Sequence, residues 1–360
     1  MKIIEIQKLE NWYSHNFESS LKGRRILFTD IAPLLNSLPA EIFTKKEIGT
    51  SENGTPIYAL KVGAGKKRIL VWSQMHGNES TGTKAMFDLF KFLQNAEGLE
   101  EVHDTILERC TLLFVPMLNP DGSEKFTRVN INDVDLNRDA VDLVAKESRV
   151  LRALLDEFNP EFCFNLHDQR TIFNVEGTKN PATISFLAPS EDLERTLTEG
   201  RKETMSVIVS MNALLSGVIP NHIGRYTDEF YPTATGDNFQ KLGHNTILIE
   251  AGHYYDDYDR DQVRKFNFFA MLQGILFIAS SDDYSLYEPY FKIPNNDKMC
   301  YDIIYRNVQN KKGAIEDVAY QYDYLVVEGE LVMEASEFSR GDLKEFTGHK
   351  EVDLKNSELI

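Results

Sequence analysis

The chain is short of the residues that mark several large protein classes. Its three cysteines in 360 residues are scattered at Cys110, Cys163 and Cys300, and the first two lie in apolar runs, where inert core thiols sit. That spacing excludes a disulfide framework and a cysteine-based zinc site. Basic residues number 39 against 56 acidic ones, a net charge of −17. Nucleic acid and anionic membrane are therefore not expected as partners, because either calls for a basic face. Very long apolar runs are missing too. The longest, "FNFFAMLQGILFIAS" from Phe266, falls short of the roughly 20 residues that cross a bilayer and reads as a buried helix. The opening "MKIIEIQKLENWYSHNF" carries Glu5 and Glu10 and no unbroken apolar stretch. It lacks the build of a secretory signal, and a cytoplasmic location is expected.

What is present reads as a globular protein with a sizeable core, at 42% hydrophobic and 26% charged. "TSENGTPIYALKVG" predicts a hairpin with Asn53 and Gly54 as two positive-φ turn residues. Apolar runs at 69–75, 111–118, 162–166, 183–188 and 245–250 read as strands. Met86, Leu89, Phe90 and Leu93 fall at helical spacing, as do apolar residues of a helix near 140–158 that includes Val144. Strands alternating with helices predict an α/β fold: a mixed, largely parallel central sheet with helices on both faces. Short alternating segments such as "VAYQYDY" predict a small β-rich C-terminal segment. The expected division is an N-terminal extension over 1–40, the α/β domain over 41–285 and the β-rich domain over 286–360.

Ligands of open α/β sheets bind outside the carboxyl ends of the strands. There the sequence places His76 after the first buried run, "NPDG" after the second, His167-Asp168 after the third and Glu250 at the end of the last. Glu79 comes three residues after His76, in what reads as the first helical turn, with Gly77 letting the chain bend. A catalytic zinc takes three N and O ligands and keeps a fourth position open; His76, Glu79 and His167 supply such a set. Alone, H-x-x-E is a weak signal and far more often a capped helix start with a solvated Glu79 and a satisfied His76. Arg128 and Arg138 stand among turn residues in "NPDGSEKFTRVNINDVDLNRD", near the same rim. Guanidinium groups there suit an oxyanion or a substrate carboxylate, although an isolated arginine more often pairs with neighbours such as Asp133, Asp135 or Asp139. Glu250, capping an apolar strand, is costly to bury unless paired or functional. A rival Glu250–His253 pair is weakened by Gly252 between its members.

Together, "HGNE", "NPDG", "DLNR", "NLHD" and "LIEAG", in this order, resemble the zinc carboxypeptidases of the carboxypeptidase A type (the M14 metallopeptidases). His₂Glu is that family's own ligand set, so it adds no independent support. The resemblance implies one Zn²⁺ per chain on His76, Glu79 and His167, with Glu250 as general base toward a zinc-activated water. Arg128 would hold the oxyanion, Asn137 and Arg138 would bind the terminal carboxylate, and Asp135 would orient His76 from behind. A mobile tyrosine of the family matches Tyr231, with Tyr226 as second choice. The implied activity is hydrolysis of a C-terminal amide bond in a peptide with a free carboxylate.

Departures from the family pattern are Asp168 after His167 and Asp139 after Arg138, which would add negative charge to the cleft and favour a basic or amine-bearing substrate. Asp237 and Asn238 fall in the segment that shapes the specificity pocket. "HGNE" and "DLNR" also occur in the aspartoacylase and succinylglutamate desuccinylase group. These enzymes hydrolyse N-acyl amino acids and carry a C-terminal β-rich domain, so an N-acyl amino acid is the alternative substrate. A non-catalytic protein that binds peptide ends on the same fold is the reading from another class; the presence of ligands, base and both arginines argues against it. The oligomeric state is not legible.

Overall fold

The structure is a computed structural model that describes residues 1–311 and 313–355. Helices α1 (Ile6–Asn16) and α2 (Phe28–Ser37) precede the first strand, and their Leu9, Trp12, Ile31 and Leu35 are buried in the same core as the central sheet. The expected hairpin forms from β1 (Thr44–Thr50) and β2 (Pro56–Val62), but its turn differs. Asn53 is not in the left-handed region; only Gly54 is, at φ 85°. Gly54 N–H donates to Ser51 O, and Ser51 N–H donates to Thr55 O. The longer loop lets Ser51 Oγ and Asn53 N–H both donate to the Asp121 carboxylate, at 2.8 and 3.0 Å, a demand that a two-residue turn does not meet.

The apolar runs form β3 (Lys67–Ser73), β4 (Cys110–Val115), β5 (Phe162–Asp168), β7 (Ile184–Leu187) and β9 (Asn245–Ala251), with the short β6 (Asn174–Val175) and β8 (Ile223–Arg225) between them. Eight strands pair in the order β1-β2-β4-β3-β5-β9-β7-β8. The central β4, β3, β5 and β9 are parallel; β2 runs antiparallel to β4, and β7 to β9. Side chains alternate between the two faces, and both faces are apolar: Ile69 and Val71 of β3 enter one core, Leu70 and Trp72 the other. That double burial is why the strands read as unbroken apolar runs. Helices α3 (Thr81–Gln94), α4 (Glu100–Arg109), α7 (Glu199–Leu215) and α9 (Asp261–Ser280) cover the first face. The short α5 (Pro120–Lys125) comes after β4, and α6 (Lys146–Phe158) and α8 (Thr235–Lys241) cover the second face. The run from Phe266 lies in α9, buried almost throughout. Among the described residues no helix is long and apolar enough to cross a membrane.

Helix α6 starts later than expected. Val144 is exposed and outside it, because both Asp139 oxygens accept backbone N–H groups, from Val144 and Ala145, at 2.9 Å each, and hold that stretch as a turn.

The β-rich segment is present. β10 (Asn296–Asp297) pairs with β6, and β11 (Cys300–Gln309), β12 (Ile315–Val327), β13 (Glu330–Gly341) and β14 (Thr347–Asp353) form a sheet in the order β13-β12-β11-β14. It docks on the segment just past β5: Cys300 N–H donates to Ile172 O at 3.1 Å, and His349 Nε2 to Thr171 O at 2.8 Å. From the other end of the chain, Arg25 donates to Gly329 O at the β12–β13 turn at 2.6 Å.

Candidate active site

The chain leaves β3 toward β4 and leaves β5 toward β9, in opposite directions. Such a reversal opens a crevice at the carboxyl ends of the two strands. Parallel pairing sets Ser73 beside Leu166 and His167 beside Glu250, so residues just past β3 and at the ends of β5 and β9 meet on one rim.

His76, Glu79 and His167 are brought together. Glu79 Oε1 lies 2.9 Å from His76 Nδ1, Glu79 Oε2 lies 2.8 Å from His167 Nδ1, and the two Nδ1 atoms are 3.2 Å apart. All three residues are buried. Glu79 does not occupy the first turn of α3, which begins at Thr81; it sits in the preceding turn, so contact with the histidines and not the helix dipole governs it. Burial opposes the charge on Glu79, but the two imidazoles outweigh it and hold the carboxyl well below its ordinary range. For His76, burial is outweighed by the Glu79 and Asp135 carboxylates, which raise its pKa. For His167 burial prevails and lowers it.

The three side chains fit a metal ion. His76 Nε2 is 3.0 Å from Asp135 Oδ1; the carboxylate accepts that proton and leaves the Nδ1 lone pair facing His167 and Glu79. Two ring nitrogens and a carboxylate oxygen, all within 4.8 Å of one another, make a donor set of zinc type with room for a further ligand.

The "NPDG" turn supports this arrangement from below. Asn119 caps α5, its Oδ1 accepting from Gly122 N–H at 2.8 Å, while its Nδ2 donates to Met75 O, immediately before His76, at 3.1 Å. Gly77 has a different reason from the bend expected of it. Gln74, at φ 53°, supplies the left-handed residue after β3, whereas a Cβ on Gly77 would overlap the Gly122–Ser123 peptide.

Arg128 donates from Nε to Asp135 Oδ2 at 2.9 Å and brings Nη1 to 3.6 Å from Glu79 Oε1 and 3.3 Å from His76 Nδ1. Asn137 and Arg138 lie in a single helical turn, Leu136–Arg138. Asn137 Oδ1 accepts from Thr235 N–H at 3.1 Å, and Arg138 stacks over Tyr231, its guanidinium carbon 5.5 Å from the ring centre. The Tyr231 ring is 45% exposed and its hydroxyl donates to Glu229 at 2.7 Å. Tyr226 lies deeper, against Phe173; burial, then the Glu250 and Glu79 carboxylates, raise its pKa. Glu250 is set deep among protein atoms with part of its surface open to the cleft. Burial, followed by the Glu79 and Asp168 carboxylates, pushes its carboxyl well above the usual range.

These residues line a cleft of ≈ 950 Å³. Asp139 is absent from its lining, being buried and spent on the turn before α6, so the expected contribution of that carboxylate to the cleft is wrong. Asp168 does line it, held by Thr81 Oγ1 at 2.7 Å and Arg24 at 3.7 Å. Asp237 also faces it, and Asn238 is not among the lining residues. Missed by sequence reasoning are Arg24 near one end of the chain and Gln321, Tyr322 and Tyr324 of β12 near the other. No local pattern marks them; only the docking of the C-terminal sheet brings them here.

Residues 31–199 match the family model for zinc carboxypeptidases, a span that takes in His76, Glu79 and His167 and stops short of Glu250. Carboxypeptidase 2 of Trichophyton rubrum is 30% identical over 104 residues, 28% of this chain and 19% of that protein. The alignment thus spans about a fifth of the curated relatives it matches. A metallo-carboxypeptidase of Burkholderia cenocepacia superposes with a TM-score of 0.55 at 19% identity, over 69% of this chain and 67% of that one. A metallo-carboxypeptidase of Pseudomonas aeruginosa, in complex with (2-guanidinoethylmercapto)succinic acid, gives 0.50 at 17% identity over 69% and 68%. At those identities the likeness is one of fold. The matched span, residues 31–199, is just under half of the chain, and over it the sequence is similar to the zinc carboxypeptidases.

Proposed function

We propose that the protein is a zinc metallocarboxypeptidase that hydrolyses the amide bond next to a free C-terminal carboxylate. The observation that carries this reading is the meeting of His76, Glu79 and His167 with Glu250, the register neighbour of His167. Zinc held by those three ligands would supply a Lewis acid and make water acidic near neutral pH. Glu250 takes the proton from the attacking water and returns it to the leaving amine; its raised proton affinity suits a group that must hold a proton between two steps. Arg128, its Nη1 directed at the ligand cluster, donates to the developing oxyanion. Asn137 and Arg138 hold the terminal carboxylate, Tyr231 covers the Arg138 guanidinium, and Asp135 keeps His76 in its ligating tautomer.

One equivalent of zinc is expected to co-purify. Amidating the C-terminal carboxylate of a good substrate is expected to lower kcat/KM about 10²-fold, as loss of a charge-assisted pair implies. Equal rates for free and blocked substrates would remove the Arg138 clamp. N-acyl amino acid hydrolysis is the second reading, favoured by one observation: β12 and β13 line part of the cleft. A panel of dipeptides and N-acyl amino acids separates the two.

Asp237 bears on the side chain accepted. Its carboxyl lines the cleft, and burial pushes it up to about 6, with Arg138 and Arg201 partly offsetting that. Protonated below that pH and ionised above it, Asp237 attracts a cationic terminal side chain only on the alkaline side. The Pseudomonas aeruginosa ligand unites a guanidino group with carboxylic acids, which supports the same preference. The ratio of kcat/KM for C-terminal lysine over leucine is therefore expected to rise between pH 5 and 7, about tenfold for one charge-assisted contact. A flat ratio over that window rules Asp237 out.

A further inference from the structure

A second set of donors faces the same cleft with little to bind. Arg24 lies between α1 and α2, its backbone fixed by Ser80 Oγ, which donates to Arg24 O at 2.6 Å, and by Lys84 Nζ, which donates to Gly23 O at 2.8 Å. Its side chain is 11% exposed, its guanidinium carbon stands 5.6 Å from the Tyr324 ring centre, and Asp168 at 3.7 Å is its ion-pair partner. Arg24 Nε makes no hydrogen bond among the described residues. Gln321, also on β12, is 4% exposed; its Oε1 accepts from Thr171 Oγ1 at 3.3 Å, but its Nε2 has no partner among the described residues. Arg260, buried on the same wall, spends its Nη atoms on the carbonyls of Ala251, Gly252 and Gln169 and keeps its charge. Burial and then Arg24 push the Arg260 pKa down to about 10.

Of these two guanidinium groups only Arg24 pairs with Asp168, whose charge Arg260 also feels and whose Oδ1 has no hydrogen-bond partner among the described residues. Other acids nearby are committed or outward. Asp302 accepts from Tyr258 Oη at 3.1 Å and Tyr322 N–H at 2.8 Å. Asp257 accepts from three N–H groups at the start of α9. Asp323 accepts from Ser336 Oγ at 2.7 Å, and Glu334 is exposed at the rim. A buried amide donor and a buried cation without full partners are costly until an acceptor arrives.

Glu79 separates this end of the cleft from the other: Arg128 approaches its Oε1, while Asp168 N–H donates to its Oε2 at 3.1 Å. Arg138 and Tyr231 belong to the first side, Arg24 and Tyr324 to the second. We propose that Arg24 and Gln321 form a carboxylate subsite for the acyl half of the substrate, opposite the Arg138 clamp, so that the preferred substrates are short and acidic on the acyl side. The proposal rests on the amide-hydrolase reading, which gives Arg138 the terminal carboxylate.

Two matched pairs test it: the dipeptide Glu-Leu against Gln-Leu, and N-glutaryl-leucine against N-pentanoyl-leucine. Binding is read by calorimetry on the zinc-loaded Glu250→Gln protein, and kcat/KM on the unsubstituted one. The charged member of at least one pair is expected to bind 10-fold or more tightly than its neutral partner, and the pair that shows this tells a side-chain carboxylate from an acyl-chain one. Arg24→Gln brings that ratio near one and Arg24→Lys retains part of it. Equal binding within both pairs overturns the subsite, as does an Arg24→Gln protein that weakens charged and neutral members alike, the signature of a structural role. A binding preference without turnover leaves the subsite standing and removes the hydrolase reading; turnover of both members at one rate does the reverse.

Discussion

Glu250→Gln is expected to keep one zinc per chain and to lower kcat by about 10³-fold, within the range that general acid–base groups contribute. Glutamine preserves shape and can still accept a hydrogen bond from water, but it takes up no proton. Glu250 is not among the residues whose ligand atoms converge, so metal content is expected to hold. The substitution also removes a carboxylate that burial, Glu79 and Asp168 all disfavour in its ionised form, so stability is not expected to fall. Metal analysis and steady-state kinetics on the same preparation decide the matter: activity within tenfold of the unsubstituted protein shows that another group takes the proton.

His167→Ala acts on the other half of the site. Zinc occupancy is expected to drop from about one to below 0.1 per chain, with turnover lost. One of three donors is gone, and Glu79 keeps only His76 as an imidazole partner within the cluster. Heat provides a second readout. Ligand binding to the folded state stabilises by roughly 2.7 kcal/mol when zinc is 100 times its Kd, so added zinc should raise the Tm of metal-depleted unsubstituted protein. The His167→Ala protein should show little or no rise. If it gains as much, the ion binds elsewhere, and His76, Glu79 and His167 are not its ligands.

Much of the fold was legible because the central strands are buried on both faces. Ile69 to Trp72 must serve two cores at once, and a continuous apolar run is the outcome. The rim was legible for a related reason: parallel strands end on one side, so His76, His167 and Glu250 could be collected from the residues at the carboxyl end of each run. Short-range detail was less accessible. Asn53 was expected at positive φ, but the pull of Asp121 on Ser51 and Asn53 lengthened the turn. Asp139 was expected in the cleft, and backbone donors at 144 and 145 claimed it instead. Tyr226 and Tyr231, five residues apart, both reach the cleft, and spacing offers no way to rank two residues on one loop. Arg24 and Gln321, 297 positions apart in the sequence, come to line one cleft only through the docking of a whole sheet, which no window along the chain contains.

The contact of Gly77 with the Gly122–Ser123 peptide has a mechanical meaning. Two backbones touch there without a side chain between them, so no χ torsion intervenes between the His76 turn and the start of the segment that leads to Arg128 and Asp135. Constellations that work at tolerances near roughly 0.5 Å are degraded by every rotatable bond in their support. Here the mounting is rigid by subtraction: what the two glycines lack is the freedom that would let ligand and arginine drift apart.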